Sequence, residues 1–207
     1  MNSVNSFVIT DEMKKYISLQ RTGITNNHAE EYYRHIEFQW SIMKKYIYGC
    51  TSVLDIGCGL AGIDYFIGKE DDNTGLWLLD KTEVSPKIYY GYKAEAAYYN
   101  SMELAVDFLR MNGIKNSIGT LSPEQYVTYA KEFKFDAIIS LISCGFHYPV
   151  ATYIDAICDS LKECGVVILD IRHGAIKESI KAFSDRGFKN IRLHIFEKCD
   201  KMLFERI

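Results

Sequence analysis

Short apolar runs of strand length alternate along the chain with stretches whose apolar residues recur at helical spacing. Between His28 and Tyr48, Ile36, Trp40, Met43 and Ile47 step by four, three and four. Glu31, Arg34, Lys44 and Lys45 lie opposite, and Gly49 stands just past the end, which predicts an amphipathic helix. SVLDIG then reads as a buried strand. A helix beginning between Leu60 and Ile63 leads to a second strand, GLWLLD, ending at Asp80. Asn100, Ser101, Met102 and Glu103 predict a capping box, Asn100 accepting from a free helix N–H and Glu103 reaching back. The helix it opens turns Ala105, Phe108 and Leu109 inward and stops at Gly113.

A short third strand is expected around Lys115 to Ile118. Ser122, Pro123, Glu124 and Gln125 form a second capping box, with proline in the first turn, where its missing N–H costs nothing. FDAIISLI is apolar almost throughout, as a central parallel strand should be. Val150, Ile154, Ile157 and Leu161 predict another helix, and Gly165 introduces a fifth strand, VVILDI. A last helix carries Ile176, Ile180 and Phe183 and ends at Gly187. NIRLHIF and KMLFERI, separated by Glu197 to Asp200, read as a hairpin. Parallel strands need helical, right-handed crossovers, so this alternation predicts one α/β domain, doubly wound and mainly parallel, with an antiparallel terminal hairpin. Residues 28–207 form its core and 1–27 an N-terminal extension.

Composition fits that domain. At 207 residues, 48 % hydrophobic and 25 % charged, the chain matches ordinary globular proteins. A domain this size buries roughly 70 % of its unfolded surface and needs no disulfide to fold. Net charge is −3, from 24 basic and 27 acidic residues without a long run of either sign, so no nucleic-acid partner is expected. The N-terminus lacks the apolar core of a signal peptide, and no apolar stretch has the length of a membrane helix. Six cysteines form no CxxC pair and do not cluster with the histidines, so neither a metal nor a disulfide framework is expected, and the cytoplasm is the expected compartment.

The chemistry begins at Val53-Leu54-Asp55-Ile56-Gly57-Cys58-Gly59-Leu60-Ala61-Gly62. Glycines 57, 59 and 62 satisfy GxGxxG between a strand and a helix. Gly57 permits a tight turn, and Gly59 lets the backbone approach a ligand. Asp80 ends the following strand, where a carboxylate accepts both hydroxyls of a ribose. Together these point to an adenosine-containing cofactor. Asp55 chooses among such cofactors. It repels the pyrophosphate of a dinucleotide and attracts the ammonium and sulfonium of S-adenosylmethionine, a difference of several kcal/mol at a partly buried site. Its alternative role is to cap the following helix.

From His28 onward the sequence resembles the class I S-adenosylmethionine-dependent methyltransferases. VLDIGCGLAG resembles their first motif, Asp80 their ribose-binding acid, FDAIISLI their fourth strand and VVILDI their fifth. The resemblance implies a Rossmann-like sheet of seven strands with the last antiparallel. It implies that Asp55, Gly57 and Gly59 hold the methionine end and Asp80 the ribose, that Lys81 borders the adenine and that Leu141 lies beside the transferred methyl; Cys58 and Leu121 are further cofactor-binding candidates. The family often carries an acid after the third strand to bind the adenine amine; here IGTLSPEQ places Thr120, Leu121 and Ser122 instead.

Ser143-Cys144-Gly145-Phe146-His147-Tyr148-Pro149 should lie over the methyl group, and it resembles the GFHYP-like segment of bacterial sugar O-methyltransferases from surface-polysaccharide clusters. A hydroxyl acceptor needs a base. His147 is the candidate, its other role being a hydrogen bond that shapes the loop ahead of Pro149. Tyr32 and Tyr33 on the first helix, and Tyr89 and Tyr92 in the long segment after Asp80, are candidates for an aromatic acceptor pocket, the alternative being surface packing. Asp170, Arg172 and His173 follow the fifth strand at the same edge. Arg172 is a further acceptor candidate, and Asp170 contacts either the acceptor or nearby backbone N–H groups. The expected function is methylation of a small polar acceptor, a sugar or nucleotide-linked sugar first. The alternatives are a nicotinamide-dependent oxidoreductase and a non-catalytic cofactor-binding module.

Overall fold

The computed structural model describes residues 6–20, 24, 27–82 and 101–207. Seven strands form one sheet: β1 (Ser52–Ile56), β2 (Gly75–Leu79), β3 (Ile118–Leu121), β4 (Phe135–Ser140), β5 (Leu161–Arg172), β6 (Phe188–Ile195) and β7 (Cys199–Arg206). Their spatial order is β3-β2-β1-β4-β5-β7-β6. Strands β1 to β5 pair in parallel, whereas β7 runs antiparallel to both β5 and β6. From β1 the chain moves to β2 and β3 on one side and then crosses to β4 and β5 on the other. The winding therefore reverses beside β1, where sheets of this kind bind ligands.

One face of the sheet is covered by α1 (Asp11–Gln20), α2 (His28–Ile47), α3 (Gly62–Glu70) and α4 (Met102–Met111). The other face carries α5 (Pro123–Tyr129), α6 (Ile154–Ser160) and α7 (Ile176–Ser184). Alternation divides the strands between the two cores. Val53 and Asp55 of β1 point to the α2 side, and Leu54 and Ile56 to the α6 side. No helix among the described residues is long and apolar enough to cross a membrane.

Three boundaries differ from the sequence expectation. Helix α4 is capped by Ser101, whose side chain accepts from the Leu104 N–H, one residue beyond the expected Asn100. Strand β3 begins at Ile118 instead of ending there, because Asn116 is diverted inward: its amide donates to the Asp71 and Thr74 carbonyls and ties the connection to the loop before β2. Leu161, expected on the helix, is the first residue of β5.

Helix α1 is the larger surprise, since nothing before His28 was expected to be helical. Met13, Tyr16 and Ile17 give it a short buried stripe, and Thr10 caps it through the Met13 N–H. The segment is not an outlying appendage. Phe7 packs its ring among Tyr32, Tyr33, Tyr65 and Phe108, with centroids 4.9 to 5.4 Å away.

Candidate active site

The turn after β1 is built by glycine geometry. Gly57 and Gly59 have φ of +76° and +56°, the left-handed region that side chains disfavour. Each also faces a neighbour too near for a Cβ. A Cβ on Gly57 would stand 2.2 Å from Ser143 in the loop after β4, and one on Gly59 2.7 Å from the Tyr16 hydroxyl of α1. At Gly62 the neighbour would be the Tyr32 hydroxyl, at 2.5 Å. The three glycines thus seat the β4 loop, α1 and α2 around one turn. Gly57 and Cys58 donate their N–H groups to the Leu79 carbonyl, and Gly59 donates to Asp80 Oδ2 at 3.0 Å, which joins the turn to the end of β2.

Asp80 is half-buried, and its other oxygen accepts the Lys81 N–H at 2.8 Å. A cavity of about 430 Å³ opens beside it between the ends of β2 and β3, lined by Asp80, Lys81, Thr120, Leu121 and Glu124. Glu124 was missed in the sequence because it stands inside the second capping box, where an acid is ordinary. Hydrogen bonds from its own N–H and the Ser122 hydroxyl hold its carboxyl below the usual range, so it is ionised at neutral pH.

Asp55 is 2 % exposed, and a second acid, Asp64 in the first turn of α3, is fully buried close to it. Burial raises the Asp55 carboxyl well above its ordinary range; Asp64 and Asp80 add to this, and Lys201 opposes it. Asp55 does not cap α3, whose N-cap position is Ala61. Asp64 was also missed: an acid in a first helical turn is the commonest of helix signals. Cys58 is buried in the same turn, its thiol pushed up by burial and by the three carboxyls.

On the other side of the turn, the β4 loop is locked from both ends. The Ser140 hydroxyl donates to the Ile56 carbonyl and accepts from the Cys144 N–H, and the N–H groups of Phe146, His147 and Tyr148 all converge on the Ser143 carbonyl. Arg172 N–H donates to the Gly145 carbonyl, while the Arg172 guanidinium stacks 4.5 Å from the Phe146 ring. Leu141 is half-buried at the start of this loop, and Ile142 adopts a left-handed φ of +60°, a strained backbone of the kind that gathers at functional sites. His147 stands edge-on to Phe146. Burial, helped by the Arg172 charge, pushes its pKa down to about 4, so the imidazole is neutral at pH 7.

The structure therefore gathers Asp55, Gly57, Cys58, Gly59, Asp80, Lys81, Leu121, Leu141, His147 and Arg172 along one edge of the sheet. It does not bring Tyr32 and Tyr33 into an acceptor pocket. They are 5 % and 9 % exposed, and their rings are enclosed by Phe7 and its aromatic neighbours. Tyr89 and Tyr92 lie outside the described residues. Asp170 forms a fully buried ion pair with Lys201 of β7, at 2.6 Å, and accepts from no backbone N–H among the described residues.

This sheet order, with helices on both faces, is a Rossmann-like fold shared with solved methyltransferase structures. The chain is similar to precorrin-6y C5,15-methyltransferase from Geobacter metallireducens GS-15, with TM-score 0.57 and 14 % identity over 97 % of this chain and 94 % of that one. It is similar to an O-methyltransferase family protein from Burkholderia thailandensis, with TM-score 0.60 and 8 % identity over 84 % and 57 %. An rRNA methylase from Streptococcus thermophilus gives TM-score 0.54 and 15 % identity over 83 % and 96 %. No protein-family model matches the chain, and no curated protein matches it in sequence.

Proposed function

We propose that the chain binds S-adenosylmethionine at the glycine turn and transfers its methyl group to a small polar acceptor, with the hydroxyl of a sugar or nucleotide-linked sugar as the first class to test. The observation that carries this reading is the buried acid at the turn. Asp55 Oδ1 and both Asp64 oxygens have no donor from another described residue, an arrangement that fits a cationic ligand and disfavours a pyrophosphate. A nicotinamide-dependent oxidoreductase is correspondingly disfavoured.

The remaining residues divide the ligand between them. Asp55, with the turn at Gly57 to Gly59, holds the amino-acid end. Asp80, held at the end of β2 by the Gly59 and Lys81 N–H groups, accepts from the ribose hydroxyls. Leu121 and Lys81 flank the base in the cavity, and the ionised Glu124 accepts from its amine. The cofactor supplies an electrophilic methyl on a good leaving group, so alignment is the protein's main task. Leu141 and the locked β4 loop provide that alignment. His147 accepts the acceptor's hydroxyl proton; it is a weak base, but the proton becomes far more acidic as the new C–O bond forms.

A methyl-transfer assay on a panel of sugars and other small hydroxylated acceptors tests the reading. Turnover is expected with wild type and lost in Asp55→Ala. Binding of the cofactor without turnover on any acceptor would favour the non-catalytic module.

A further inference from the structure

His173 stands one residue beyond β5, at the edge where the β4 loop lies, and no step of the transfer uses it. Its N–H donates to the Lys198 carbonyl at 3.2 Å, in the turn between β6 and β7. The residue before it, Arg172, donates its own N–H to the Gly145 carbonyl at 3.0 Å and lays its guanidinium on the Phe146 ring, next to His147. The imidazole carries Nε2 3.2 Å from Asp200 Oδ1. Asp200 is 3 % exposed and the His173 side chain 46 %, so a buried acid holds a ring that stands open to solvent. Charge balance does not require this contact, because Arg192 already meets the other Asp200 oxygen at 2.7 Å. The contact orients the ring. A carboxylate against Nε2 keeps the ring proton on that nitrogen and leaves Nδ1 an acceptor. Nδ1 meets no donor among the described residues, and the next residue borders open space: a Cβ on Gly174 would find nothing within 4 Å.

We infer that His173 binds a second hydroxyl of the acceptor at Nδ1, and that the acceptor is accordingly a polyhydroxylated molecule, a sugar ring or larger, and not a lone alcohol or phenol. The inference rests on the methyl-transfer reading above. A hydroxyl is the group that fits. It donates to Nδ1, which an ionised phosphate or carboxylate cannot do, and it brings no charge to a corner where Arg192 already offsets Asp200. His147 then acts on the hydroxyl that is methylated, and His173 on one that only holds the molecule in place. Asp200 is a positioning residue, acting through the imidazole it orients.

The test is methyl-transfer kinetics of the full chain at saturating adenosylmethionine. The acceptors are methyl hexosides, nucleoside diphosphate hexoses, their singly deoxygenated analogues and monohydric alcohols. Hexose acceptors should turn over and monohydric alcohols should not. One deoxygenated analogue should raise KM roughly 3- to 10-fold with kcat kept, the worth of one neutral hydrogen bond. His173→Ala should raise KM for the intact hexose by a similar factor and cease to distinguish that analogue. His173→Asn, which returns an amide oxygen near Nδ1, should recover part of the loss. Asp200→Asn should raise KM less, with adenosylmethionine affinity unchanged. A merely structural role would lower the melting temperature and leave the discrimination between the analogues intact. Unchanged KM and discrimination in His173→Ala, or monohydric alcohols turned over as well as hexoses, would overturn the inference and leave the methyl-transfer reading standing. No turnover on any acceptor would overturn both.

Discussion

Gly59 donates its backbone N–H to Asp80 Oδ2 at 3.0 Å, while the Lys81 N–H occupies the other oxygen, so the acid ending β2 is aimed before any ligand arrives. Asp80→Ala removes the tie across the turn and, with it, the ribose contact proposed above. Hydrogen bonds to charged groups are worth about 1.5–3 kcal/mol, so adenosylmethionine affinity should fall by roughly 10- to 150-fold. Asp80→Asn keeps an acceptor for Gly59 and should fall between the two. Titration of the three proteins checks this order.

Gly57→Ala should be far worse than a usual glycine replacement. The left-handed backbone alone costs about 1–2 kcal/mol, and the new Cβ would lie 2.2 Å from Ser143. Displacing Ser143 moves the carbonyl that organises Phe146, His147 and Tyr148. The expected result is a lowered melting temperature together with loss of turnover. Gly113→Ala provides the comparison, because its φ is also positive but its Cβ would meet nothing within 4 Å.

Much of this was legible beforehand, and the failures share a cause. The strands and long helices announced themselves because burial imposes periods of two and 3.6 on their residues. Asp55, Gly57, Gly59 and Asp80 were legible because the turn needs those residue types in that order. Tyr32 and Tyr33 were misplaced because a tyrosine on a helix reads the same whether its ring meets a ligand or another helix. The partner that buries them, Phe7, lies in a segment with too few apolar residues to reveal a helix. Asp64 and Glu124 were overlooked because acids in a first turn have an ordinary reason to be there.

Phe7→Ala tests whether the N-terminal segment belongs to the core. A buried phenylalanine costs about 3–5 kcal/mol when truncated. Denaturant unfolding should show a loss of that size. Cofactor affinity should weaken as well, since Tyr16 and Tyr32 lie against the glycine turn from the helices Phe7 helps to dock. A loss below about 1 kcal/mol would mean that the segment folds independently of the rest.

His147 gives a pH signature. Its folded pKa near 4 lies below the ordinary 6.5, so between those values the unfolded chain binds more protons. Its contribution to stability is therefore complete above about pH 6.5 and lost as pH falls toward 4. In turnover at saturating cofactor, the same shift removes the usual histidine inflexion near 6.5, and kcat should stay level down to pH about 5. His147→Ala should lower kcat by roughly 10²- to 10⁴-fold with little change in cofactor affinity. Unchanged turnover in that variant would remove His147 as the base.

The Asp55–Asp64 pair has the opposite sign. Asp64 keeps its proton to about pH 7 in the folded protein but loses it near 4 when unfolded, so the pair costs stability as pH rises through that window. Asp64→Asn should raise the stability of the free protein at pH about 8 by about 1–2 kcal/mol, or roughly 2–8 °C in Tm, with a smaller gain at pH about 5. Thermal scans at the two pH values check it.

The central claim is that the acids at the glycine turn select a cation. Equilibrium titration of the wild-type chain with adenosylmethionine and, separately, with a nicotinamide dinucleotide tests it most directly. The account predicts saturable binding of adenosylmethionine that Asp55→Ala abolishes, and no binding of the dinucleotide. Tight dinucleotide binding without adenosylmethionine binding would contradict it.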